Sequence, residues 1–361
     1  MGHPGESQLL VTTMSLPSAE EQISFLQQIQ RLFSEGEFSA TYKFALILAL
    51  AELAIERGDD SGEALELSMA TVAEKFAELY WRQMAPYQGD QAAAAELLHQ
   101  NQGKRAAITA PLQKIYAACG GQLALAKTHQ DWPSCLKNIA RTVRDMPMQH
   151  LQVLGGVQQP FLYDYPSSPR SIRLKPGVVF NLRRYQGLVQ QLAKSGWVTH
   201  VRNNRLNHPI IGKHDDLEVF MFGAERSPLR EVAKILAPLQ GNRCFYCQER
   251  ISEQAEVDHF IAWSRYPRDL AHNFVLAHRG CNNDKRELLA GLPHLEKWLR
   301  RLELHGNEIG EHLSELGFVV DSNASRQVAY WAYEQGLNSQ SQSWLAKGIT
   351  EPLHHRCISL F

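Results

Sequence analysis

The stretch from Cys244 to Asn282 carries residue types and spacings suited to two kinds of metal chemistry. Cys244 and Cys247 form a C-x-x-C turn, and His278 and Cys281 repeat the same two-residue gap some thirty positions later. Tetrahedral Zn²⁺ takes thiolates and imidazole nitrogens, and a short x-x turn presents two such ligands from one knuckle. The plain alternative is buried thiols packing as small hydrophobes. Two matched spacings in a chain of six Cys argue against it. His272 competes with His278 as the fourth ligand, but it lacks the two-residue spacing to Cys281.

Between the knuckles lies EVDHFIAW, in which apolar residues flank Asp258 and His259. The pattern predicts a strand with these two side chains on opposite faces. A neutral imidazole with an ordinary pKa of about 6.5 can take a proton from water near neutral pH. A carboxylate and an amide oxygen suit a hard cation such as Mg²⁺ or Mn²⁺, which keeps several waters and binds phosphate oxygens. His259 is therefore the candidate general base, and Asp258 and Asn282 are the candidate protein ligands of a catalytic metal. Asn273, opening NFVLAH, could tie the connecting loop and orient His259. An Asp-His doublet taken alone is more often a structural ion pair.

In this order C-x-x-C, VDH, N-F-V-L, His-x-x-Cys-Asn and Lys285 resemble the HNH endonuclease module, the ββα-metal nuclease fold. The resemblance covers about fifty of 361 residues, from Gly241 to Gly291. It implies that His259 activates water, that Asp258 is the metal-binding acid and that Asn273 braces the catalytic loop. Asn282 then falls where members of the family carry a His or Asn metal ligand. His278 stands where a Cys is more usual. The resemblance also implies a structural zinc, a catalytic Mg²⁺ or Mn²⁺, and one strand cut per active site. Stand-alone bacterial modules of this kind serve in restriction or antiphage defence, which would bring defence-system partner proteins.

At 361 residues the chain exceeds one comfortable core, so two or three domains are expected. The predicted class is α+β: a mainly helical protein with an embedded zinc-stapled ββα-metal module. The expected divisions are a helical N-terminal domain (1–155), a basic helix-hairpin segment (156–240), the HNH module (241–291) and a helical C-terminal tail (292–361). Ser18 with Glu21 makes a capping box ahead of Ile23, Leu26, Ile29 and Phe33 at helical spacing. Ala40–Arg57 is apolar on nearly every face, as a buried central helix would be. Further helices are expected at Thr71–Met84, Gln91–His99, Pro111–Ala118 and Leu136–Arg144, and in the tail around Leu295–Leu302 and Gln327–Gly336. Tyr80-Trp81 reads as core and not as a base-stacking platform.

The longest apolar run, Phe44 to Ile55, is about a dozen residues and includes Glu52, too short to span a bilayer. No basic stretch precedes an apolar run at the N-terminus, so no secretory signal is expected. Reduced thiols at a zinc site fit the cytoplasm. The closing His354-His355-Arg356-Cys357 reads as an ordinary tail.

The near-neutral net charge of −1 conceals an asymmetry. Residues 160–213 hold nine Lys or Arg against one acid, while the flanking parts are net acidic. Gly155-Gly156 and the PSSP run at 166–169 mark the expected boundary before this segment. A helix at Asn181–Lys194 and strands at Trp197–Val201 and Leu217–Phe222 are expected within it. Arg183, Arg184, Arg202 and Arg205, with Lys285 and Arg286 from the motif, are candidate phosphate contacts to double-stranded DNA. A basic face paired to acids elsewhere in the fold is the alternative. The function read from the sequence is thus metal-dependent DNA cleavage. The competing classes are a non-catalytic zinc-knuckle binding protein and a nuclease for RNA or structured DNA. The oligomeric state is left open.

Overall fold

The computed structural model describes residues 16–89, 94–103, 107–165, 170–212, 216–223, 229–251 and 255–361. The helix Tyr42–Arg57 is buried from Tyr42 to Glu56, because its apolar residues leave no polar stripe for water. Helices Met69–Trp81, Val178–Arg184 and Gln186–Asn203 pack directly on it, and Trp132–Asp145 lies behind Met69–Trp81. The helix Ala19–Glu35 begins at the Ser18–Glu21 capping box, with Ser18 N–H donating to Glu21 Oε2 at 2.7 Å. Tyr80 is fully buried, its hydroxyl 2.5 Å from Thr41 Oγ1.

One apolar core runs from Phe25 to Met221, so the expected division at 155/156 falls inside a continuous unit. Gly155 and Gly156, at φ 56° and 78°, turn the short hairpin Val153–Leu154/Val157–Gln158 and are not a linker. Strand Leu65–Ser68 also pairs with Ser171–Leu174 across the expected boundary. The PSSP run at 166–169 lies outside the described residues.

The basic segment contains no hairpin of the expected strands. Trp197–Val201 continues the helix Gln186–Asn203, and Leu217–Phe222 is a helix as well. The helix runs on past its expected end at Lys194, and Gly196 is there for close packing. A Cβ at that position would sit 2.5 Å from Phe44 Cε1. Val189, Ala193, Trp197 and Val201, spaced by four, form the buried stripe of the continuing helix. The helix expected at Gln91–His99 is also absent where it is described. Positions 91–93 lie outside the described residues, and Glu96 makes an extended bridge to Tyr87. Asn207 takes up the backbone of His99 on both sides, N–H to Oδ1 at 2.7 Å and Nδ2 to O at 3.0 Å.

A second apolar cluster joins the motif to the tail. Strands Ala255–His259 and Phe274–His278 form an antiparallel pair in which His259 faces Phe274 in register, and helix Arg279–Lys285 completes the ββα unit. Helices Leu292–Glu315 and Ser322–Asn338 follow. The tail is not purely helical. Gln342–Ala346 pairs in parallel with Leu289–Ala290 at the end of the motif and antiparallel with Ile349–Pro352. Ile55 of the central helix belongs to this second cluster, and helix Ser322–Asn338 packs on the central helix. Among the described residues no helix is long and apolar enough to cross a membrane.

Candidate metal centre and active site

Cys244, Cys247, His278 and Cys281 bring their ligand atoms within 4.8 Å of one another. A tetrahedral ion with metal–sulfur bonds of about 2.3 Å sets its ligand atoms about 3.8 Å apart, so the cluster fits. The first knuckle closes because Gln248, at φ 63°, lets its N–H reach Cys244 O at 3.1 Å. His278 N–H donates to Cys244 Sγ at 3.4 Å, and His278 Nδ1 lies 3.3 Å from Cys247 Sγ. The other ring nitrogen, Nε2, meets Arg250 O at 3.0 Å, which orients Nδ1 toward the thiols. Burial, and then the adjacent Cys244 and Cys247, push the Cys281 thiol up to about 12. A cation is what would let such crowded thiols ionise. It is His278, and not His272, that lies with the three thiols. His272 lies in the core, with Nε2 3.0 Å from Gly306 O.

Asp258 and His259 project from opposite faces of their strand, as period two requires. His259 Nε2 lies 2.8 Å from Asp269 Oδ1, and its ring packs against Trp263 and Phe274. Asn273 ties the loop ahead of it, accepting from Ile261 N–H at 2.8 Å and donating to Ile261 O at 2.9 Å. On the other face, Asp258 Oδ2 accepts from Tyr246 Oη at 2.6 Å and lies 3.1 Å from Lys285 Nζ. Glu256 shares that face, and its Oε2 accepts from Asn282 Nδ2 at 3.0 Å. This leaves the Asn282 amide oxygen and part of two carboxylates as hard donors between strand and helix. Oxygen donors of these types are what Mg²⁺ or Mn²⁺ takes, one or two carboxylates beside its waters.

Two candidate phosphate contacts are excluded by burial. Arg183 is fully buried, with Nε paired to Asp60, Nη2 2.8 Å from Glu334 Oε2 and Nη1 3.0 Å from Gly58 O. It joins the two halves of the molecule, and its charge is spent on internal acids and carbonyls. Lys285 is equally buried, with Asp258 as its counter-ion. Arg184, Arg202, Arg205 and Arg286 are exposed.

A family model described as "Domain of unknown function (DUF8808)" matches residues 22–215, more than half of the chain. The chain belongs to the DUF8808 family. Its match nearly coincides with the first core, which supports reading that core as one unit across 155/156. A second model, HNH endonuclease, matches residues 244–287, so this DUF8808 protein carries an HNH module on the ββα unit with the Cys₃His group. No curated protein and no solved structure matches the chain.

Three residues of the site escaped the sequence reading. Tyr246 sits between the knuckle cysteines and could have been suspected as a donor inside C-F-Y-C. Glu256 stands two before Asp258, hence on its face. Asp269 carries no local signal, because only the loop path brings it back to His259.

Proposed function

We propose that this protein is a metal-dependent HNH endonuclease acting on double-stranded DNA. The observation that carries the reading is the His259–Asp269 pair on the same strand pair as a zinc-ready Cys₃His knuckle, on the segment that matches the HNH family. With Nε2–H directed at Asp269, His259 presents Nδ1 as the proton acceptor for a water attacking phosphorus. Asp269 holds the tautomer and stabilises the imidazolium that forms. Asn273 keeps the loop closed around the pair. Asp258 and Asn282, with Glu256 beside them, would hold Mg²⁺ or Mn²⁺, which when bound offsets charge on the phosphate and leaving oxygen. Arg184, Arg202, Arg205 and Arg286 supply exposed positive charge for phosphates. One such site cuts one strand, so a single copy nicks.

The test is incubation of supercoiled plasmid with the protein in Mg²⁺ or Mn²⁺ and in EDTA. Relaxed circles are expected only with metal, and none with His259→Ala, whose zinc content and melting temperature stay near those of the unsubstituted protein. Binding without nicking would leave a zinc-knuckle binding protein instead. Faster cutting of RNA or of branched DNA in parallel reactions would replace the substrate. Thiolate ligands need a reducing compartment, so the proposal places the protein in the cytoplasm. It also carries the restriction or antiphage role and its partner proteins. Phage plating with the intact gene and with His259→Ala tests that role, which fails if the two plate equally.

A further inference from the structure

The DUF8808 core and the nuclease module face each other across a cleft of about 770 Å³ whose wall includes Glu52, Lys75, Glu78, Trp263, Arg268 and Asp269. Two acids of the central helix, Glu52 and Glu56, stand one turn apart and are both buried. Arg268 of the module grips Glu52 with a fork, Nη2 to Oε1 at 2.8 Å and Nε to Oε2 at 3.0 Å. The Tyr266 hydroxyl donates to Glu56 Oε1. Lys75 of the DUF8808 core holds the pair of acids together, 2.7 Å from Glu56 and 3.8 Å from Glu52. The very next residue after Arg268 is Asp269, whose carboxylate lies 2.8 Å from His259 Nε2.

Resting on the nuclease reading above, we propose that Glu52 and Glu56 are positioning residues for catalysis: through Arg268 and Tyr266 they hold the loop that presents Asp269 to His259. Apolar side chains of similar volume would stabilise this contact at least as well, because buried ion pairs seldom repay the cost of desolvation. What a bidentate fork adds is direction, since it fixes the plane and position of the guanidinium. Consecutive Cα atoms are about 3.8 Å apart, so a fixed Arg268 leaves Asp269 little room to move. A displacement of about 1 Å in catalytic geometry can cost about a hundredfold in rate. The DUF8808 core thus acts as the frame that keeps the base of the attached module in register.

The test is a double-mutant cycle in plasmid nicking, with Glu52→Gln, Asp269→Asn and the two combined in the full chain. Glu52→Gln should lower kcat about tenfold with KM within about twofold, and Asp269→Asn should lower kcat about a hundredfold. The double variant should match Asp269→Asn alone, since Glu52 acts only through that carboxylate. Tyr266→Phe, which removes one hydroxyl, should show a smaller kcat loss with zinc content unchanged and serves if Glu52→Gln fails to fold. Multiplying losses in the double variant would overturn the proposal, as would unchanged kcat in folded Glu52→Gln and Tyr266→Phe. An unsubstituted protein that never nicks would instead sink the nuclease reading itself.

Discussion

Lys285 Nζ lies 3.1 Å from Asp258 Oδ2, with the lysine fully buried and the carboxylate nearly so. The lysine also donates to His259 O at 3.3 Å, so one cation tethers both members of the Asp-His doublet. Tyr246 donates to the same oxygen, so Oδ2 has two partners.

Replacing Lys285 by Met should therefore be costly. Removing one partner of a buried pair leaves the other charge uncompensated, typically about 3–5 kcal/mol. The expected result in urea unfolding is a loss of that order, with Lys285→Arg closer to the unsubstituted protein. A loss below about 1 kcal/mol would show that Asp258 finds other partners.

The knuckle should bind about one zinc per chain, because three thiols and one imidazole lie within reach of one ion. Cys281→Ser and His278→Ala should each lose the metal and loosen residues 244–287, since the binding free energy of such sites is folding free energy. His272→Ala and Cys357→Ser should keep it. Elemental analysis of the purified variants decides the matter, and zinc retained in His278→Ala would remove His278 from the ligand set.

The basic segment should divide into two classes. If Arg184, Arg202 and Arg205 contact phosphate, replacing all three with Gln should reduce the slope of log K against log salt by about two to three. Arg183→Gln should leave that slope alone and lower stability, because it leaves Asp60 and Glu334 unpaired. Binding titrations at several salt concentrations, with thermal melts, check both. A slope unchanged in the triple variant would mean that DNA is held elsewhere.

Acid should weaken the first core. Burial alone would raise the Glu78 carboxyl, but Lys75 and Lys127 beside it hold it down to about 2, below its usual 4.5. A depressed carboxyl contributes stability that is present above the unfolded value and is lost as pH falls toward the folded one. Urea midpoints should therefore fall between about pH 4.5 and 2, and less steeply in Glu78→Gln. Parallel curves for the two proteins would show that Glu78 plays no part in the acid transition.

The features legible in the chain are those that a few neighbouring residues decide. Two x-x turns put zinc donors on knuckles, period two put Asp258 and His259 on opposite faces, and a long apolar run read as a buried helix. Sequence also marked residues 160–213 as basic, but not which of those charges meet solvent. That depended on distant partners: Asp60 and Glu334 come to Arg183 from 123 and 151 positions away. The expected helix end at Lys194 was wrong because Gly196 lets the helix run on against the Phe44 ring. Asp269 reaches His259, and Arg268 reaches Glu52 across 216 positions, only because the loop folds back onto the central helix. Ligand spacing and hydrophobic period are short-range constraints on the backbone. Burial of a charge is a long-range one, settled only when the partner that offsets its desolvation has been brought into place.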